Sequence, residues 1–185
     1  MSIIERRHAY EATRAGEIPM TPIGVGIGGV YITGLIRFDR RERRLSDYIN
    51  GMYLGSPLIL SDVTIVGSDG NIEMTVSESR VNVTAADVVV DLGEAHRSNP
   101  TLYVVRAKMP VIAITKNGFS IRGDLCGPVG GEIPEFGFAA DRRIIVESDL
   151  TRNGVLLADN VSAFVRFDSL IVLGSAAAKD QVSEG

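Results

Sequence analysis

Tryptophan is absent from this chain, cysteine occurs once and histidine twice, and the aromatic share is 6%. Each scarcity excludes something. A lone Cys126 cannot form an internal disulfide, so a reducing, cytoplasmic setting is the expectation. The N-terminal MSIIERRHAY places charges where a secretory leader needs an apolar core. No stretch approaches the roughly 20 continuous apolar residues that span a bilayer, because Asp or Gly breaks the longest candidates, and no membrane partner is expected. His8 and His96 stand without partners at metal or triad spacing, so neither a metal, a cofactor nor a catalytic histidine is expected. Positive charge is also short: the formal net charge of −4 excludes whole-surface attraction to nucleic acid and leaves room for a local basic patch.

What is present is β-rich. Residues 3 to 14 read as a short helix opened by the capping box Ser2-Ile-Ile-Glu5 and closed by Gly16. Beyond residue 20 the pattern becomes alternating or continuous β-branched runs, punctuated by turns at SDGN (68 to 71), KNG (116 to 118) and RNG (152 to 154). The last stretch, GSAAAKDQVSEG, has no apolar pattern and reads as a tail.

Comparison of the chain with itself gives its organisation. GVYITG (29 to 34) answers to GFSIRG (118 to 123), LILSDVT (58 to 64) to IVESDLT (145 to 151), and ADVVVDL (86 to 92) to DSLIVL (168 to 173), in the same order. The expected fold class is therefore mainly β, as tandem duplicated five-stranded small β-barrels of SH3-like or Sm-like size with a short N-terminal helix. The expected divisions are 1–20 for the helix, 21–93 for the first barrel, 100–174 for the second and 175–185 for the tail. Strands are expected near 22–27, 30–38, 56–66, 71–76 and 80–92, then 101–115, 118–125, 142–149, 154–159 and 162–173.

The duplication decides the meaning of PIGVGIGG (22 to 29), whose Gly24, Gly26 and Gly29 satisfy the G-x-G-x-x-G spacing of a dinucleotide loop. Such a loop opens a helix. Here a strand follows, and the second copy, VIAITKNG, keeps only the glycine at 118 and reads as a hairpin. Gly28-Gly29 is then a turn, and no nucleotide cofactor is implied.

The copies differ in the loop after their second strand. In the first copy that loop gathers Arg37, Arg40, Arg41, Arg43 and Arg44 against Asp39 and Glu42. Guanidinium forks are good phosphate readers, so these five arginines are the candidate ligand-binding residues. A helical turn follows, LSDYIN (45 to 50), with Leu45, Tyr48 and Ile49 spaced to point inward.

RRLSDYIN followed by LILSDVTIV resembles an uncharacterised bacterial domain family that repeats an RLSDYLN-like phrase. The resemblance spans 29 to 92 well and 118 to 173 weakly, and implies no catalytic residue. GLIRFD and LILSDV are similar to strands of Sm-type RNA-binding barrels, although a long insertion displaces the base-binding segment of those proteins. Arg37-x-x-x-Arg41 or Arg40-x-x-x-Arg44, with Asp62-Val-Thr-Ile-Val-Gly67, resembles the cyclic di-GMP motif of PilZ domains, with Thr in place of Ser.

Cys126 at a strand end reads as a small packed residue, and Glu132 with Glu135 could form a carboxylate pair, with no sign of a substrate pocket beside it. The resulting expectation is a non-enzymatic binding or assembly module that self-associates as a homo-oligomer or meets a protein partner. The alternative is a nucleotide-sensing or RNA-binding module that uses the 37–44 arginines.

Overall fold

The computed structural model of the chain describes residues 18–38, 45–51, 57–93, 107–127 and 142–176. The expected helix at 3–14 lies outside them, as does the expected tail beyond residue 176, whose first residues Gly174 and Ser175 belong instead to a strand. Ten strands follow one another: β1 (Met20–Ile27), β2 (Val30–Arg37), β3 (Leu58–Val66), β4 (Ile72–Val81), β5 (Val88–Asp91), β6 (Ala107–Thr115), β7 (Phe119–Gly127), β8 (Arg142–Arg152), β9 (Val155–Arg166) and β10 (Leu170–Ser175). One short helix, α1 (Leu45–Gly51), lies between β2 and β3. It buries Leu45 and Ile49 as expected, and its Tyr48 ring tilts against Phe38 at 5.2 Å.

Local chemistry makes the hairpins. Gly28 and Gly29 have φ of +54° and +88°, and Asn153 and Gly154 have +50° and +79°, the double positive φ that closes a two-residue hairpin with the native strand twist. The β3–β4 turn is held by Asp69, whose carboxylate accepts from the backbone N–H and side chain of Asn71. Those two donors favour the charged form and lower the Asp69 pKa.

All ten strands join a single antiparallel sheet in the order β10-β6-β7-β8-β9-β5-β1-β2-β3-β4. The expectation of a mainly β chain holds. Two closed barrels are not what this order describes: no pairing closes either half or joins β4 to β10 among the described residues. The boundaries also differ. The fourth strand of each half continues through the expected breaks at 77–79 and 160–161, and the true interruption is a 3-10 turn, Val83–Ala85 in the first half and Phe167–Ser169 in the second. Asn82 opens the first of these by accepting from the Thr84 N–H, a local bond that competes with the ladder. In the second half Asn160 adopts φ +47° inside the strand, so a turn-type residue bends β9 without ending it.

The halves share more than strand order. Gly24, Val25 and Gly26 of β1 face Val90, Val89 and Val88 of β5, and Ile112, Ala113 and Ile114 of β6 face Gly174, Leu173 and Val172 of β10 in the same sequence. Each half carries a bulge opposite its shared glycine. The register breaks at Gly34, where Asp62 has φ +50°, and at Gly123, where Glu147 has φ +49°. A Cβ on Gly34 would stand 3.0 Å from the Ser61 carbonyl oxygen and one on Gly123 2.7 Å from that of Val146. The glycines are present because the bulged strand crowds them. This corrects the sequence match of Asp62 with Asp149. Glu147 occupies the bulge position of Asp62, while Asp149 faces Arg122 as Thr64 faces Thr33.

Gly24 and Gly26, the residues of the apparent dinucleotide motif, sit inside β1 and are buried. A Cβ on Gly24 would stand 2.1 Å from the Tyr31 hydroxyl, and one on Gly26 would stand 2.7 Å from Val88 and 2.9 Å from the Phe119 ring. They make room for two of the largest buried side chains. The core lies in two clusters that meet at β5, where Val88 and Val90 join one and Val89 the other, as strand alternation requires. Tyr31 and Val66 of the first half contribute to the cluster of the second, and Phe164 of the second to that of the first. Gly26→Ala is expected to lower stability by about 2 kcal/mol, the usual cost of overpacking, and to lower Tm by about 4–8 °C in calorimetry.

Candidate functional site: the junction strands and the open edges

The place where the halves meet is the pair β5–β9. Val88 faces Val165, Val89 faces Phe164, Val90 faces Ala163 and Asp91 faces Ser162. All four residues of β5 are buried, and the strand is apolar except at its last position.

Around its near end lies a polar cluster that spans the halves. Arg142, at the start of β8, is 5% exposed and donates to the carbonyls of Val83 at 2.5 Å and Ala86 at 2.8 Å, with longer bonds to those of Asp87 and Phe164. Arg166, at the end of β9, donates to the Thr84 carbonyl and pairs with Asp168 at 2.6 Å. Its backbone N–H donates to the Asp87 carbonyl, and its guanidinium lies 3.9 Å from the Asp87 carboxylate. Asn117, in the β6–β7 turn, donates to the other Asp87 oxygen at 2.7 Å. A 3-10 turn leaves carbonyls without ladder partners, and buried carbonyls must be satisfied. Two arginines from the second half do this for the turn of the first. Asn153, at the tip of the β8–β9 hairpin, donates to the Ser68 carbonyl of the β3–β4 turn at 3.2 Å, linking the hairpin tips.

The strands that occupy the corresponding places at the ends of the sheet are exposed. β10 stands in its half where β5 stands in the first, yet Ile171 is 60% and Val172 43% exposed. β4 stands where β9 stands in the second half, yet Ile72 is 49% and Met74 54% exposed. Among the described residues, each end strand therefore has a backbone edge with no strand beside it, together with exposed apolar side chains.

Of the five candidate arginines, Arg37 is described. It is the last residue of β2, exposed, and faces Met20. Arg40, Arg41, Arg43 and Arg44 lie outside the described residues, as do His8, His96, Glu132 and Glu135. Cys126 is half-buried near the end of β7, opposite Lys108. Lys108 pairs with the bulge residue Glu147, and that hydrogen bond raises its pKa. Asp62, the acid of the PilZ-like phrase, is the exposed bulge residue of β3. No group of three metal-ligating side chains is found among the described residues, and none of their helices is long and apolar enough to cross a membrane.

Arg142, Arg166 and Asp87 were not distinguishable in the sequence. Their partners across the junction lie 30 to 82 residues away, and an arginine at a strand end carries no local mark of burial. Comparison with known protein families, curated proteins and solved structures finds no match.

Arg142→Met, which keeps the length and removes the donors, is expected to cost about 2 kcal/mol because the Ala86 carbonyl loses its donor and the Val83 and Asp87 carbonyls keep only their backbone ones. Urea unfolding checks this. The expected loss exceeds that of Arg143→Met, one residue along the same strand on an exposed position.

Proposed function

We propose that this chain is a binding and assembly module without catalytic function, built from two related five-stranded units of the small-barrel type, and that it acts by self-association. One observation carries this reading: the ten-stranded sheet begins and ends on strands that have no neighbour on the outer side among the described residues and that expose Ile72, Met74, Ile171 and Val172. A soluble chain normally blunts its sheet edges, and apolar side chains on both open edges favour a partner strand. The matching strand order and register of the halves support the duplication.

The measurement is absolute mass by light scattering after size exclusion, at low and high salt. The expected result is a discrete multiple of 19.9 kDa, or a polymer, persisting at high salt because apolar burial and backbone pairing are weakly screened. A monomer at every concentration would overturn the reading.

The rival function, nucleotide or RNA binding through Arg37 and the arginines at 40, 41, 43 and 44, is separated by reversing the charge at Arg41 and Arg44. An assembly module keeps its mass after Arg41→Glu and Arg44→Glu, whereas a phosphate-binding module loses binding to cyclic di-GMP or single-stranded RNA.

A further inference from the structure

The chain contains its own template for what the open edges would bind. Val81 and Asn82 lead into one 3-10 turn, and Val165 and Arg166 lead into the other, so Glu78, Ser79, Arg80 and Val81 occupy in β4 the places of Ser162, Ala163, Phe164 and Val165 in β9. The shared pairing with β1 and β6 places Val172, Leu173, Gly174 and Ser175 where Val88, Val89, Val90 and Asp91 stand. The strands that meet inside the molecule thus recur at the two ends of the sheet, with no neighbouring strand on the outer side among the described residues.

Resting on the assembly reading above, we propose that β10 of one molecule pairs antiparallel with β4 of a second copy in the register of the internal β5–β9 junction. Val172 then faces Val81, Leu173 faces Arg80, Gly174 faces Ser79 and Ser175 faces Glu78.

The backbone is oriented for this. Leu92 donates to the Pro22 carbonyl and Ala176 to that of Pro110, so residues in step with them on β5 and β10 bond inward to β1 and β6. Alternation turns Val89 and Asp91 toward β9, and by the same count turns Leu173 and Ser175 toward open space. On β10 the contact would cover the exposed Val172, facing Val81, whose side chain is buried in its own half, while the exposed Ile72 and Met74 of β4 lie further along the strand than the paired stretch.

The contact is heterologous, a different strand on each side. Repetition therefore gives a ring if the rotation closes and a filament if it does not. It is weaker than the internal junction, because Pro57 and Asn82 stand in the places of Arg142 and Arg166 and cannot supply the guanidinium donors. Dilution should separate molecules without unfolding them.

The test uses the full chain carrying Cys126→Ser with Ser79→Cys and Gly174→Cys. These positions would face each other as a non-hydrogen-bonded pair, with Cα atoms about 4.5 Å apart and within disulfide reach. A Cβ at Gly174 meets nothing within 4 Å. Mild oxidation should give a ladder of dimers and higher species on a non-reducing gel, and neither single-cysteine variant should give a ladder. In parallel, Arg80→Pro and Ser175→Pro each delete an outward N–H at an edge position where proline is tolerated. Each should weaken self-association at least tenfold with its thermal unfolding unchanged, and Arg80→Val, which keeps the N–H, should not.

A wild-type oligomer that gives no ladder and ignores both prolines would overturn this pairing and leave the assembly reading standing. A monomer at all concentrations would overturn both. A disulfide formed within one chain would mean that the ends of the sheet meet each other, which also overturns the pairing.

Discussion

Among the described residues, the two halves join into one sheet through a single strand pair, the four-residue strand β5 against β9. Four antiparallel residue pairs would hold two halves together weakly if they were solvated. They are not solvated: β5 is buried on both sides, and the carbonyls of the turn before it are taken up by Arg142 and Arg166. A buried guanidinium is costly unless its donors are used, and here the carbonyls that need donors come from the other half. The halves therefore satisfy one another. The same strand shares its valines between the two core clusters, so separating the halves would open both.

The second constraint is the pair of bulges. Glycine opposite a left-handed residue bends the sheet once in each half, at Gly34 with Asp62 and at Gly123 with Glu147. Bulges increase local twist, and a bent sheet can wrap a core on one face without a second sheet. The apparent dinucleotide motif belongs to this packing. Gly24 and Gly26 are small because Tyr31, Val88 and Phe119 occupy the space beside them.

An uneven distribution of burial follows from the order of strands. The same structural position is buried where the halves meet and exposed where the sheet ends, so β5 and β9 are core while β10 and β4 are surface. Sequence has partly adjusted to this. The pairing face that presents Phe164 on β9 presents Arg80 on β4, and Pro57 and Asn82 replace the two arginines. Yet Ile72, Met74, Ile171 and Val172 remain apolar, which is why the edges rather than any pocket carry the functional argument.

Legible in the sequence alone were the β-rich pattern, the hairpin turns and the matched phrases of the two halves. Each depends on contacts within a few residues: alternation of β-branched side chains, Asn-Gly and Gly-Gly turns, and a glycine at each bulge. It also excluded a dinucleotide loop at residues 22–29, because a strand and not a helix follows. Its matching of Asp62 with Asp149 slipped by two residues, since a bulge preserves glycine position while letting local phrases drift. Only the tertiary structure decided that the halves share one sheet, that β5 and β9 form the junction, and that Arg142, Arg166 and Asp87 hold it. Those residues act across 30 to 82 positions of chain, and burial of a charged side chain is set by what the rest of the fold brings to it.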